Sequence, residues 1–161
     1  MLTKEKISFK IKLFSFEASV LLKIAKEKEK NGNNNVVFKK TDKLSKRGLL
    51  ALKRKNLVKI KKNKEDWGAS LTGDGLLEFF KLRMIEADKL PKGEICLVVF
   101  DIPEKFKKQR AMIRKFLTDC CFLRIQKSVW KSQFNYSDLI FEFFKVLEIE
   151  DWVYVFLAKE R

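Results

Sequence analysis

The sequence predicts a mixed α+β protein built from two domains, and three observations support this. Apolar residues make up 46% of the 161, with fifteen phenylalanines among them, which is ample material for a core. Residues 1–90 carry 23 basic and 11 acidic side chains, whereas residues 91–161 carry 13 and 10. Pro91 and Gly93 lie where this charge density changes. We therefore expect one domain over residues 1–90 and another over residues 91–161.

The first domain begins with a segment whose pattern is ambiguous. The letters ISFKIKLF alternate apolar and polar residues, which fits a short strand or one face of a helix equally well. From Phe16 the apolar residues recur at helical spacing, and a charged face extends to about Lys30. The letters NGNNN then end this first helix, since Asn and Gly favour turns and caps.

A second helix is expected to start near Thr41 or Asp42, because either residue can serve as its N-cap. It ends at Asn56, a residue that tolerates the left-handed conformation that often follows a helix. The residues that this helix is expected to bury are Leu44, Leu49 and Leu52.

A hairpin and a third helix complete the domain. The β-type segments 57–62 and 67–72 flank a polar turn, and Thr72 can cap the next helix. The order helix, helix, strand, basic turn, strand, helix is that of a winged helix-turn-helix. The letters LTGDG resemble the LTxxG that often follows the wing in winged-helix regulators. Against this assignment, only about a dozen residues separate the first two helices, too few for the usual middle helix.

Basic side chains are concentrated on the second helix and the hairpin. Such a helix can enter a major groove while the hairpin follows adjacent phosphates, and binding of this kind weakens steeply with salt. The alternative is a solvated basic surface that only keeps a Phe-rich protein soluble. The candidate DNA-contacting residues are Lys43, Ser45, Lys46, Arg47, Lys53 and Arg54 on the helix and Lys59, Lys61, Lys62 and Lys64 on the hairpin.

The second domain alternates strands and helices. The order βαββαβ in fewer than seventy residues is the ferredoxin-like pattern. The last strand, WVYVFLA, is apolar on both faces, so we expect it to be covered. The predicted elements are a strand over 94–101, a helix over 104–118, strands over 122–126 and 128–132, a helix over 136–147 and a strand over 152–158.

Residues 94–158 contain blocks with a family resemblance. VVFDIPEKFKKQRAMIRKFL, followed by FLRIQKSVWKS, is similar to the C-terminal part of phenylacetate-repressor (PaaX-like) regulators, which join a winged helix to this domain. The same blocks resemble the second core CRISPR-associated protein, Cas-two, a ferredoxin-like dimer that partners the integrase in spacer acquisition. Small two-part proteins known as Cas-two-like look most similar. The resemblance implies a homodimer formed through residues 94–161.

Asp101 has two interpretations. In Cas-two nucleases the aspartate that ends the first strand is the implied metal residue, and it falls on Asp101, where Mg²⁺ could activate water. The alternative is a structural cap between strand and helix, with Pro103 at the first helical position and Glu104 in the first turn. We favour the cap, because one carboxylate without histidine is thin support for hydrolysis.

Three further side chains of this domain are candidates for contacts. Arg110 and Arg114 share one helix face, where they could bind phosphates or pair with acids such as Asp119. Trp130 is expected in the core or in a dimer interface rather than as a platform for stacked bases.

Composition excludes several classes of function. There is no histidine, and the three cysteines have no CxxC spacing, so a zinc site, a disulfide framework and Ser-His or Cys-His catalysis are not expected. No apolar run approaches a membrane span, which predicts a cytoplasmic protein with no membrane contact.

The sequence therefore predicts a dimeric, PaaX-like regulator that binds double-stranded DNA without a cofactor. The alternative is a Mg²⁺-dependent endonuclease or spacer-acquisition subunit that uses Asp101 and partners a CRISPR integrase. A third interpretation treats the fold as a scaffold whose charge serves only solubility.

Overall fold

A computed structural model of the chain describes Leu13, residues 15–31 and residues 35–161. The predictions for ISFKIKLF and for most of NGNNN fall outside these residues. Within the described residues the chain forms two compact units, divided between Leu82 and Arg83. No helix in the described ranges has the length and apolar character needed to cross a bilayer.

The described residues of the N-terminal unit form three helices and a three-stranded antiparallel sheet. The sheet order is β1-β3-β2, so β3 is the central strand. The elements are α1 (Ser15–Asn31), β1 (Val36–Lys39), α2 (Lys43–Arg54), β2 (Val58–Lys62), β3 (Asp66–Leu71) and α3 (Gly73–Met84).

Among the elements that the described residues form in this unit, strand β1 is the one that the sequence did not predict. It occupies the segment between the first two helices, where a winged helix-turn-helix would have its middle helix. Val36 and Phe38 are buried and alternate with exposed Val37 and Lys39. The strand is held by pairing with β3, including Phe38 opposite Trp67. Four alternating residues are too few to identify a strand whose partner lies some thirty residues away.

The boundaries predicted for α2 are confirmed. Asp42 is the N-cap, and Asn56 adopts the left-handed conformation with φ of 58° just after the helix. Leu49 and Leu52 are fully buried, as expected. The prediction for Leu44 is wrong, because its side chain is 66% exposed. The buried positions 45, 48, 49 and 52 define a helix face by their spacing, and Leu44 falls outside that face.

The predicted hairpin and third helix are also confirmed, with strand bounds shifted by one residue. The backbone amide of Gly75 donates to Thr72 Oγ1 at 3.0 Å, so Thr72 caps α3 as expected. Strands β2 and β3 pair from Val58 opposite Leu71 to Lys62 opposite Trp67.

The C-terminal unit has the predicted βαββαβ order. The four strands of its described residues form an antiparallel sheet in the order β5-β6-β4-β7. Short 3-10 helices, Glu104–Phe106 and Glu150–Trp152, precede α4 and β7. The elements are β4 (Glu94–Phe100), α4 (Lys107–Asp119), β5 (Leu123–Gln126), β6 (Val129–Ser132), α5 (Ser137–Val146) and β7 (Val153–Lys159).

The core of this unit lies on one side of the sheet. Cys96, Val98 and Phe100 alternate along β4 and are buried. Phe116 of α4 stacks on Phe143 of α5 with ring centroids 4.1 Å apart. Helices α4 and α5 therefore contact each other through this aromatic pair over the buried side of the sheet.

The final strand is not buried as predicted. Strand β7 lies at an edge of the sheet and pairs only with β4 among the described strands. Tyr154 is 56% exposed and Phe156 is 49% exposed, with their rings stacked 6.3 Å apart. Their cross-strand partners, Val99 and Leu97, are half-buried on the same side of the sheet. An apolar patch, here called the open face, is formed by Leu97, Val99, Tyr154 and Phe156.

Candidate nucleic-acid interface

Helix α2 is fixed at its start by Asp42. One oxygen of Asp42, Oδ1, accepts from the Ser45 backbone amide at 3.1 Å, and the other, Oδ2, accepts from the Ser45 hydroxyl at 2.5 Å. These hydrogen bonds to the side chain and then to the backbone of Ser45 hold the pKa of the Asp42 carboxyl below its usual value. Ser45 is buried in this cap. The Ser45 hydroxyl is used inside the protein, which gives no support to a contact of Ser45 with DNA, and that contact stays a prediction.

The opposite face of α2 carries the predicted cations. The buried side of the helix consists of Ser45, Gly48, Leu49 and Leu52. The basic side chains lie outside this stripe and are exposed to solvent. The exposed basic side chains of this helix are Lys43, Lys46, Arg47, Lys53 and Arg54.

Helix α1 supports α2 from behind through a close contact. A β-carbon on Gly48 would lie 2.6 Å from Val20 Cγ2, so only glycine allows the two helices to pack at this distance. At the end of α2, the Lys55 ammonium bonds Glu17 Oε2 at 2.5 Å, and Glu17 is almost fully buried. These contacts hold the basic face of α2 in one orientation relative to α1.

The hairpin presents a second group of cations, on strand β2 and in its turn. The turn is closed by a hydrogen bond from the Asn63 amide to the Asp66 carbonyl at 2.9 Å. The Lys40 ammonium donates to the carbonyl of Lys64, which ties the segment before α2 to the hairpin turn. The exposed lysines of the hairpin are Lys59, Lys61, Lys62 and Lys64, as the sequence predicted.

Trp67 brings the two groups of cations together. The Lys46 ammonium, from α2, lies 5.4 Å from the centroid of its indole ring, and the Lys62 ammonium, from β2, lies 5.1 Å away. Both distances are within cation–π range, and tryptophan is the strongest aromatic partner for a cation. A single buried side chain in β3 thus positions one cation of the helix and one of the hairpin.

A similar contact occurs on the other flank of the helix. The Arg47 guanidinium lies 5.1 Å from the ring of Phe16 in α1. Neither this contact nor that of Trp67 was predicted from the sequence. The register of the hairpin would have placed Lys62 opposite Trp67, but Lys46 approaches the ring only through the tertiary packing of α2.

The arginines of the C-terminal unit have mixed outcomes. Arg110 Nη2 bonds Glu104 Oε2 at 2.5 Å, so it pairs with an acid, though not with the Asp119 suggested by the sequence. This hydrogen bond, with the charge of the guanidinium, lowers the pKa of the Glu104 carboxyl. Arg114 is partly buried, and its Nε makes no hydrogen bond with any described residue.

Trp130 is buried, which agrees with core packing and excludes stacking of bases on an exposed ring.

Asp101 follows β4 and is exposed. Its backbone amide donates to the Trp152 carbonyl at 2.9 Å. The next helix is the 3-10 turn Glu104–Phe106, whose N-cap is Pro103, and no side chain caps it. The predicted capping role of Asp101 is therefore wrong, because the helix begins two residues too late. Among the described residues, no three acidic or cysteine side chains gather to hold a metal ion.

Comparison with known families identifies the class of the second domain. Residues 91–161 match the family model described as the PaaX protein central Cas2-like domain. This stretch, which is less than half of the chain, is similar to that domain, and the resemblance to PaaX-like and Cas-two-like proteins seen in the sequence is confirmed. No curated protein matches the chain.

Proposed function

We propose that this protein is a dimeric, PaaX-like regulator that binds double-stranded DNA through α2 and the β2–β3 hairpin. The single observation that carries this proposal is the convergence of Lys46 and Lys62 on Trp67. If the charges of the helix and the hairpin only kept the protein soluble, lysines from both elements would not need to contact the same aromatic ring. Here one lysine of the helix and one of the hairpin contact the same ring, which supports the two groups acting as one surface that contacts a groove and its flanking phosphates.

The charge of this surface sets the expected binding behaviour. Each cation that neutralises a phosphate releases condensed counterions, so the logarithm of affinity falls with the logarithm of salt concentration. If about six of the exposed cations contact phosphates, the slope is about −5 and affinity drops by about 10³ between 50 and 200 mM salt. No pocket or catalytic group is needed for this activity.

The open face supports the dimeric part of the proposal. Exposed aromatic and aliphatic side chains that are contiguous on one side of a sheet are unusual in a monomer, since water contact with them is unfavourable. A second copy of the same face would bury them in a two-fold symmetric interface. Such a dimer contains two copies of α2.

A gel shift with charge-reversed variants tests DNA binding. Changing Lys46, Arg47, Lys61 and Lys62 to Glu should abolish a salt-sensitive shift of duplex DNA. A matched control reverses four exposed lysines of the C-terminal unit, Lys105, Lys107, Lys108 and Lys115, with the same change in net charge. The control should keep at least about one tenth of the wild-type affinity. Retained binding by the first variant, or equal loss in both, would overturn the assignment of the surface.

Metal-dependent cleavage is a second candidate function, and one observation favours it. Asp101 is exposed at the end of β4 and makes no capping bond that would explain it. A single carboxylate per chain, however, supplies few of the oxygen ligands that bind Mg²⁺, and even a symmetric pair leaves most positions to water. The donor set fits a resident ion poorly, so we assign the nuclease, its Mg²⁺ and an integrase partner less support.

A further inference from the structure

Leu44 is a large apolar side chain on a surface that is otherwise cationic. It lies in the first turn of α2, directly after Lys43, and is 66% exposed. Arg47 and Ala51 follow it at helical spacing, so the three share one stripe of the helix. Leu44 therefore flanks the exposed cations instead of joining the core.

A single exposed leucine on a protein surface is ordinary and needs no explanation. Leu44 differs from such a residue because it lies in the first turn of the helix that we propose to bind DNA. The first turn of a helix that enters the major groove is the part that contacts base edges. The cations beside Leu44 attract a polyanion, and the apolar group that a duplex presents in its major groove is the 5-methyl of thymine.

We propose that Leu44 is a specificity-determining residue that packs against the 5-methyl group of thymine. The protein then prefers an A·T pair at one position of each half-site, whereas its lysines and arginines bind backbone phosphate without regard to sequence. This inference rests on the proposed DNA binding by α2. It adds a sequence preference that cations on phosphates do not supply.

A leucine-to-alanine change isolates this contact. Because Leu44 is outside the core and alanine is an equally good helix former, Leu44→Ala should fold like wild type. Val37, on β1 of the same unit, is 60% exposed and provides a matched control as Val37→Ala. Circular dichroism and thermal unfolding of both variants check that their folds are intact.

The experiment uses the full chain and duplexes selected by wild type from a random pool. Each thymine of the selected site is then replaced in turn by deoxyuridine, which removes only the methyl group. At one position or more, wild type should lose about fourfold in affinity, the value expected for one buried methyl. Leu44→Ala should bind the two duplexes equally, while Val37→Ala should discriminate as wild type does.

The outcomes separate this inference from the proposed function. If wild type binds duplex DNA but selects no thymine, or if Leu44→Ala keeps the preference for thymine over deoxyuridine, the role of Leu44 is overturned and DNA binding stands. A wild-type chain that binds no duplex at all overturns both. Equal weakening of Leu44→Ala on every duplex, with discrimination retained, also contradicts the methyl contact.

Discussion

A methyl group on the α-carbon of Gly75 would lie 1.9 Å from the carbonyl oxygen of Leu57. The same oxygen accepts a hydrogen bond from the Thr72 amide at 3.0 Å, and the Thr72 hydroxyl donates to the Asn56 carbonyl at 2.7 Å. The start of α3 is therefore built directly against the residues that follow α2. This contact explains why the motif LTGDG carries glycine at its last position.

The first prediction compares the two glycines of that motif. Gly75→Ala should lower the free energy of unfolding by about 2–3 kcal/mol, because the methyl group meets backbone that cannot move aside. A β-carbon on Gly73 would have no atom of the described residues within 4 Å, so Gly73→Ala should change stability by less than about 0.5 kcal/mol. Urea unfolding followed by circular dichroism measures both. Equal effects would show that the contact with Leu57 is relieved by a shift of α3.

The second prediction concerns the dimer. Light scattering on the full chain should give twice its mass of 19.0 kDa. Changing Tyr154 and Phe156 to Glu should raise the dissociation constant by a factor of about 10³, since central interface residues each contribute on the order of 2 kcal/mol. Phe141→Glu, at an exposed position of α5, is the control and should remain dimeric. A monomeric wild type at high concentration would contradict the proposed interface.

The third prediction separates regulator from nuclease. Because Asp101 caps no helix, Asp101→Asn should leave the unfolding temperature and the affinity for duplex DNA unchanged. Purified wild type should not cleave DNA or RNA when Mg²⁺ is added. If wild type cleaves with Mg²⁺ or Mn²⁺ and an equally stable Asp101→Asn does not, the nuclease replaces the regulator as the better assignment.

The fourth prediction is a loss of stability at alkaline pH. Burial raises the pKa of the Cys96 thiol from 9.0 to about 11, and burial also raises the pKa of Tyr136. An unfolded chain ionises Cys96 near pH 9 while the folded chain keeps it protonated. The stabilising difference is therefore complete below pH 9 and is lost as the pH rises towards 11, by on the order of 2 kcal/mol.

Urea midpoints measured at pH 8 and pH 10 check this, with Cys96→Ala as the comparison. The variant should lose less stability than wild type over this interval, because it lacks the ionising thiol. Alkylation with iodoacetamide at pH 8 should also be slow in the folded chain and fast in urea. Rapid alkylation of folded wild type at Cys96 would show that the thiol is accessible.

The parts of the fold that the sequence predicted are those fixed by local chemistry. Asp42 and Asn56 bound α2 because capping and left-handed residues act within a few positions of a helix end. Strand β1 forms because it pairs with β3, which lies far along the chain. Leu44 is exposed and Leu49 is buried because only one side of the helix meets the core. Both outcomes depend on tertiary contacts, which a short window of residues does not reveal.

For the candidate site, too, the sequence predicted what depends on local chemistry. Its cations appear in the sequence as closely spaced Lys and Arg, and a charged side chain is exposed to solvent without any contact to a distant residue. Three findings depend on the tertiary structure and could not be predicted from a local pattern. They are the burial of Ser45, the contact of Lys46 with Trp67 and the absence of a cap at Asp101. Strand β7 was expected to be covered because it is apolar on both sides, but the described residues place helices on only one side of the sheet.

The closely spaced ammonium and guanidinium groups around α2 and the hairpin also repel one another when no DNA is present. This repulsion acts against folding of the N-terminal unit, and mobile anions reduce it by screening. Added salt should therefore raise the unfolding temperature of the free protein while lowering its affinity for DNA. If the proposed DNA binding holds, added duplex should also raise the unfolding temperature, because a ligand that binds only the folded form stabilises that form by mass action.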